Sequence, residues 1–243
     1  MNVIDPQTIS ILAQVLIAPI SLIIASIALW GYIKVGSGSS LLLSISFFLL
    51  SCLSFLPIAG AMGLFQWPSS IQGSDFNENS ITILNVLSII QTSAFAILAF
   101  IYLNELRNRT ITLGRVQLDV LAASLAFTFV YSFYSFNRYS GTSFSHPVFP
   151  YVTATISVVL MLLIITLVFS FYRAKGNKDA LIGMLGYLLI LSNVAYGFLN
   201  YDSVVWSITH NGTDWGAAIA NVLSLSGYIV ILAAIIRKRV AHG

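Results

Sequence analysis

Charged side chains are scarce in this sequence. Asp, Glu, Lys and Arg together make up 8% of the 243 residues, whereas hydrophobic residues make up 58%. Soluble domains contain about 25% charged residues, so this chain has too little polar surface to cover a water-soluble globule. The net charge of +3 is also too small to indicate a nucleic-acid partner. The composition indicates a protein whose outer surface faces lipid.

The sequence also lacks the residues from which metal and catalytic sites are built. Cys52 is the only cysteine, which excludes an intramolecular disulfide and a cysteine-pair metal site. The three histidines lie outside the long apolar segments, and Asp119 is the only ionisable residue inside one. Haem, zinc and intramembrane acid–base catalysis need facing histidines or paired acids. We therefore expect no metal, no cofactor and no enzymatic activity.

Long apolar segments are what the chain does contain. Seven stretches of roughly 20 residues or more, the length that crosses a bilayer as a helix, lie at about 10–33, 40–64, 81–103, 116–136, 151–172, 180–199 and 217–236. The period-two alternation of membrane strands is missing. The residues before segment 1 carry no basic side chain, so we expect this segment to remain as a helix and not to be removed as a signal peptide. The sequence predicts one all-α domain over residues 1–243, a seven-helix transmembrane bundle.

The basic residues predict how this bundle is oriented. Ten of the eleven fall on one side of the predicted membrane: Lys34, Arg107, Arg109, Arg115, Arg173, Lys175, Lys178, Arg237, Lys238 and Arg239. Only Arg138 lies on the other side. Because cytoplasmic loops are enriched in Lys and Arg, the N-terminus is predicted outside the cell membrane and the C-terminus in the cytoplasm. Aromatic residues at the predicted inner ends, typical of the headgroup level, are Trp30, Tyr32, Tyr102 and Tyr172.

The tetrapeptide NVLS occurs twice, at residues 85–88 and 221–224, near the start of segments 3 and 7. A second alignment, of residues 22–52 with residues 162–192, pairs Tyr32 with Tyr172, Gly36 with Gly176 and Phe47 with Tyr187. These pairs favour a duplication in which segments 1–3 and 5–7 are parallel copies joined by segment 4. The alternative is two similar helical hairpins that share only a composition.

A 3+1+3 arrangement of this length resembles two classes of seven-helix membrane protein, SWEET-type sugar facilitators and microbial rhodopsins. Rhodopsins attach retinal to a lysine in the last helix, and segment 7 contains no lysine. The SWEET resemblance implies that Asn85 and Asn221 line a sugar pocket, and it extends to the stretch YGFL before segment 7. That family also has hinge prolines in helices 5 and 6, whereas segments 5 and 6 contain none here.

Uncharged polar residues are the remaining candidates for a site. Those that share faces of segments 3, 4, 6 and 7 are Asn85, Ser88, Thr92, Thr128, Asn193, Tyr196, Asn221, Ser224 and Tyr228. They form either a polar pocket or hydrogen bonds that hold helices together. A ridge of small residues, Gly216, Ala220 and Ser224, should let a neighbouring helix approach closely.

Two function classes are compatible with these features. The first is a non-enzymatic membrane sensor or accessory subunit that acts through helix–helix contacts with another membrane protein or with further copies of the chain. The alternative is a facilitative transporter or channel for a small neutral solute, with the pocket between segments 3, 4, 6 and 7. In a subunit, we expect each interior amide to be hydrogen-bonded by a neighbouring helix.

Overall fold

The computed structural model of the protein describes residues 5–61, 78–109, 119, 122–123, 126, 130, 148–176, 178–200 and 215–240. Within these residues all regular structure is α-helical. The long helices are α1 (Pro6–Val35), α2 (Gly38–Ala61), α3 (Glu78–Asn108), α4 (Val148–Lys175), α5 (Lys178–Leu199) and α6 (Trp215–Val240).

These six helices correspond to predicted segments 1, 2, 3, 5, 6 and 7, so the all-α prediction is confirmed for this part of the chain. Each is long and apolar enough to cross a membrane. The shortest has 22 residues and the longest 31, which at 1.5 Å per residue is about 33–46 Å, more than the roughly 30 Å of a hydrocarbon core. Segment 4 and residues 62–64 of segment 2 lie outside the described residues, except that positions 119, 122–123, 126 and 130 are helical and exposed.

Two glycines make the sharp turns between paired helices. Gly36 follows α1 with φ of 69°, and its N–H donates to the carbonyl of Tyr32 at 2.7 Å. Gly176 follows α4 with φ of 60°, and its N–H donates to the carbonyl of Tyr172 at the same distance. Glycine is favoured at both positions because it adopts a left-handed conformation without a Cβ clash. The two turns are therefore alike in residue, conformation and hydrogen bond.

The six described helices form a closed ring. Each packs against the next along the chain, α3 packs directly against α4, and α6 packs back against α1. One hydrophobic core fills the ring, and every helix contributes to it, for example through Ile24, Phe47, Leu98, Met161, Tyr187 and Ile231. The opposite faces of the same helices are also apolar, with Leu12, Phe48, Phe100, Ile156, Leu185 and Ile219 exposed. A bundle that is apolar inside and outside is suited to lipid and indicates a multi-pass membrane protein.

Helices α5 and α6 are in close contact where two glycines face each other. A Cβ on Gly227 would lie 2.5 Å from the carbonyl oxygen of Gly186, and a Cβ on Gly186 would lie 2.9 Å from the carbonyl oxygen of Gly227. The two backbones are thus in direct contact, which small residues allow and larger ones prevent. A side chain at either glycine would therefore push the two helices apart.

The pattern of burial in α1 and α2 recurs in α4 and α5 at an interval of 140 residues. Both members are buried in the pairs Ala13 and Thr153, Ile17 and Ser157, Ser21 and Met161, Ile24 and Ile164, Phe47 and Tyr187, and Leu50 and Ile190. The interval is the one at which Gly36 and Gly176 make matching turns. The two hairpins therefore present the same faces to the core.

Candidate polar sites between the helices

The side chain of Asn221 on α6 is hydrogen-bonded to two other helices. Its Nδ2 donates to Oγ of Ser10 on α1 at 2.7 Å, and its Oδ1 accepts a hydrogen bond from Nδ2 of Asn193 on α5 at 3.2 Å. Asn221 itself is buried. We call these three residues the Asn221 cluster. It joins α1, α5 and α6 near the end of the bundle where α1 and α6 begin.

The predicted small-residue ridge lies on the same stretch of α6. A Cβ on Gly216 would lie 2.6 Å from the hydroxyl oxygen of Tyr196, so the tyrosine of α5 packs directly over this glycine. Ala220 and Ser224 are both buried. The backbone contact with Gly186 of α5 occurs at Gly227, three residues beyond the end of the predicted ridge.

Thr92 on α3 makes a second polar contact, with α4. Its Oγ1 lies 3.1 Å from Oγ of Ser157 and donates to the carbonyl of Thr153 at 3.3 Å. Ser88 is half-buried on the same helix. Asn85 lies within α3, but its side chain is outside the described residues, as is the whole of Thr128. Thr92 therefore has its hydrogen-bond partners on α4, whereas the Asn221 cluster lies between α1, α5 and α6.

Tyrosine side chains form a third polar group inside the ring. The hydroxyls of Tyr102 on α3 and Tyr187 on α5 are 3.0 Å apart, and their rings meet edge to face with centroids 5.9 Å apart. Tyr228 on α6 is buried and meets Phe47 on α2 in the same way, at 6.3 Å. Tyr102, which the sequence places at the headgroup level, thus has its hydroxyl bonded to a neighbouring helix.

Ser51 connects α2 to α1 beside the proline of α1. Its Oγ donates to the carbonyl of Ala18 at 2.8 Å, and both residues are buried. Pro19 has no N–H, so the helix loses one internal hydrogen bond at this point. The hydrogen bond of Ser51 thus joins α2 to α1 at the residue before the proline.

Charged side chains lie at the ends of the helices. Asp179 at the start of α5 pairs with Arg237 near the end of α6 at 3.4 Å. Glu105 pairs with Arg109 at the end of α3, and Nζ of Lys34 lies 3.9 Å from the centre of the Trp30 ring at the end of α1. These ends belong to the side of the bundle where the basic residues were predicted to gather.

The structure therefore divides the predicted pocket residues between separate helix interfaces. It brings Asn193 and Asn221 together, and it pairs Thr92 with residues that sequence analysis did not select. Ser10, Ser157, Ser51 and Tyr187 were all missed, and each is a polar residue inside an apolar segment. That signal was present in the sequence, but serine is common throughout these segments and its partners cannot be inferred from spacing.

Hydroxyl and amide groups can exchange hydrogen bonds with one another or with a neutral molecule. Among the described residues, no group of three or more His, Cys, Asp or Glu side chains could hold a metal ion.

Comparisons of the chain with protein-family models, with curated proteins and with solved structures found no match.

Proposed function

We propose that the chain is a non-enzymatic, seven-helix protein of the cell membrane that acts as a sensor or accessory subunit through helix–helix contacts. The observation that carries this proposal is the hydrogen bonding of Asn221. Its amide donates to one helix and accepts from another, as expected of a group that holds a bundle together. A carrier would need such an amide to be available to its solute.

The other interior contacts support the same function. The Thr92 and Ser157 hydroxyls bond to each other, and so do those of Tyr102 and Tyr187. Polar groups inside a membrane bundle that are bonded across helix interfaces set the arrangement of the helices. A change in that arrangement, caused by a ligand or a partner, is how a helical sensor or subunit would act.

The proposal includes seven crossings with the N-terminus outside. Its support is the predicted segment 4, whose described positions are helical, and the basic residues near one end of the bundle. Lys34, Arg109 and Arg237 lie at or near the ends of α1, α3 and α6, and the ion pair of Asp179 with Arg237 holds the end of α6 beside the start of α5. An excess of basic residues indicates the cytoplasmic side.

We further propose that the chain is a 3+1+3 duplication, with an alignment of the third helices that differs from the NVLS alignment. Phe47 with Tyr228 and Tyr187 with Tyr102 are both edge-to-face pairs, at 83° and 87°. The interval of 140 residues makes Tyr187 the counterpart of Phe47. Their ring partners are then counterparts too, so Tyr102 on α3 corresponds to Tyr228 on α6. The third helices are therefore aligned at an interval of 126 residues (228 minus 102).

Burial supports this interval, because residues 126 apart are both buried. The pairs are Ala94 with Ala220, Phe95 with Asn221 and Leu98 with Ser224. The NVLS copies are 136 residues apart. They differ from the proposed alignment by ten residues, about 15 Å along a helix. Under this alignment Asn221 corresponds to Phe95 and not to Asn85, and the repeated tetrapeptide is an accident of composition.

The test of the functional proposal is Asn221→Ala, compared with Asn104→Ala at an exposed position of α3. Interhelical hydrogen bonds in membranes are worth about 0.6 kcal/mol each on average. Loss of the two Asn221 hydrogen bonds should therefore lower the free energy of unfolding by about 1.2 kcal/mol. For a chain of this size that lowers the unfolding temperature by about 2–5 °C. Asn104→Ala should leave the unfolding temperature within error of wild type.

Solute flux is measured on the same proteins in liposomes. We expect wild-type liposomes to admit glycerol and simple sugars no faster than empty ones. Flux above that background which Asn221→Ala abolishes without lowering stability would contradict the proposal and favour the transporter.

A further inference from the structure

The two matched turns of the bundle differ in charge. Arg173 and Lys178 flank the turn between α4 and α5, and both side chains are exposed. In the turn between α1 and α2, 140 residues earlier, the corresponding residues are Ile33 and Gly38. The two turns have the same left-handed glycine and the same backbone hydrogen bond. The backbone therefore does not require the two basic residues.

The turn between α4 and α5 carries an excess of positive charge. Arg173 and Lys178 form no ion pair with another described residue. Arg237 at the end of α6 lies beside this turn, because it pairs at 3.4 Å with Asp179, the residue after Lys178. Three of these four side chains are positive and one is negative, so their net charge is +2 (3 minus 1). Such a surface attracts anions.

An exposed apolar stripe on α5 starts at the same place. Leu181, Leu185 and Leu188 are all exposed. They follow Lys178 along the helix at intervals of three, four and three residues, so the four side chains share one face. From residue 178 to residue 188 the helix rises about 15 Å, which is half of the roughly 30 Å hydrocarbon core. The face therefore has the length of one lipid leaflet, with positive charge at one end.

We propose that this face of α5, together with Arg173, binds one anionic phospholipid. Its phosphate interacts with Arg173 and Lys178, and an acyl chain lies along the three leucines. A free phosphate ion would use the charges and leave the leucines uncovered. Helix α2 has a similar apolar stripe, with Ile45 and Phe48 exposed at the positions that match Leu185 and Leu188, but it lacks the two basic residues. The site therefore belongs to the second turn alone, whether the chain is a sensor, a subunit or a carrier.

Native mass spectrometry of the full chain in detergent tests this, with phosphatidylglycerol and phosphatidylcholine of identical acyl chains as the probes. We expect one phosphatidylglycerol to stay bound at concentrations at which phosphatidylcholine does not. A Lys or Arg at the membrane surface contributes about fivefold to the binding of anionic lipid, so Arg173→Gln/Lys178→Gln should weaken binding about 25-fold. No preference for phosphatidylglycerol in the wild type, or full retention of it in this variant, would overturn the proposal.

The matched control is Lys34→Gln/Arg109→Gln, which removes two exposed positive charges from the ends of α1 and α3. Lys34 lies over the Trp30 ring and Arg109 is paired with Glu105, so the bound phosphatidylglycerol should be retained. An equal loss in both double variants would show an effect of net charge alone and would contradict a site at this turn. Displacement of the lipid by an equal concentration of inorganic phosphate would contradict the role of the leucines.

Transfer of the two charges to the first turn gives a second test. Ile33 is exposed, and a Cβ on Gly38 meets nothing within 4 Å, so Ile33→Arg/Gly38→Lys fits the structure. This variant should bind two phosphatidylglycerol molecules where the wild type binds one. Binding of a single molecule by both proteins would contradict the assignment of the site to these two positions.

Discussion

Replacement of Gly227 by alanine tests whether α5 and α6 are in backbone contact. The added Cβ would lie 2.5 Å from the carbonyl oxygen of Gly186, 2.9 Å from Cγ1 of Ile190 and 3.1 Å from the backbone nitrogen of Ile190. Ordinary contact starts at 3.4 Å, so the backbones must separate by about 0.9 Å (3.4 minus 2.5). Two of the three atoms belong to the backbone, which cannot rotate away as a side chain would.

The size of the effect follows from two opposing terms. Forcing an extra carbon into a packed interior typically costs about 1–3 kcal/mol. Alanine is also a better helix former than glycine, which stabilises the folded state by up to about 1 kcal/mol. We therefore expect Gly227→Ala to lower the free energy of unfolding by up to about 2 kcal/mol.

Two further glycines of α5 provide the controls. A Cβ on Gly183 meets nothing within 4 Å, so Gly183→Ala should be neutral or slightly stabilising. Gly186→Ala should be intermediate, because its Cβ would lie 2.9 Å from the backbone oxygen of Gly227, a smaller backbone overlap than the 2.5 Å at Gly227, and 2.6 Å from Cγ1 of the Ile231 side chain. The half-buried Cys52 allows unfolding in detergent to be followed with a thiol-reactive fluorogenic dye. If Gly227→Ala unfolded at the same temperature as Gly183→Ala, the close crossing of α5 and α6 would be refuted.

Three other changes test individual contacts by the same unfolding assay. Tyr102→Phe and Tyr187→Phe should each cost about 0.6 kcal/mol, and the double variant should cost no more than one of them, because both remove the same hydrogen bond; additive losses would contradict the pairing. Thr92→Val should lower the free energy of unfolding by a similar amount, up to about 1.7 kcal/mol. Ser26→Ala, which removes a hydrogen bond within one helix, should have little effect. A larger loss for Ser26→Ala than for Thr92→Val would contradict the α3–α4 contact. Arg237→Gln should cost less than about 1 kcal/mol and mainly at low ionic strength, because the Arg237 side chain is 61% exposed and its ion pair with Asp179 is weak and screened by salt; a larger loss that persists in about 1 M salt would contradict this.

The positions of the helices could be predicted from the sequence because one physical requirement, an apolar run long enough to cross a bilayer, determines them. The helix ends were less predictable. Helix α3 continues past residue 103 to Asn108, where Glu105 and Arg109 form an ion pair one turn apart. Such pairs stabilise a helix beyond its apolar part, so hydropathy alone places the end too early.

The candidate site could be predicted only in part, because hydrogen-bond partners depend on which helices are neighbours. Asn221 was selected as a buried amide, but its partner Ser10 is 211 positions away in the chain and is visible only once α1 and α6 are adjacent. Thr92 was grouped with the asparagines by its face on the helix, whereas its partners lie on α4. A shared helix face predicts that its residues are buried together. Which partners they contact depends on the order of the helices in the ring.

The seven-helix topology is tested most directly by the side of the membrane on which each end of predicted segment 4 lies. In a Cys52→Ala background, single cysteines are placed at Thr112 and Thr142, before and after the segment, and labelled on intact cells with a maleimide that does not cross the membrane. Seven crossings with the N-terminus outside predict labelling at 142 in intact cells and labelling at 112 only after the cells are permeabilised. Equal access at both positions would mean that segment 4 does not cross, and would contradict the seven-helix topology.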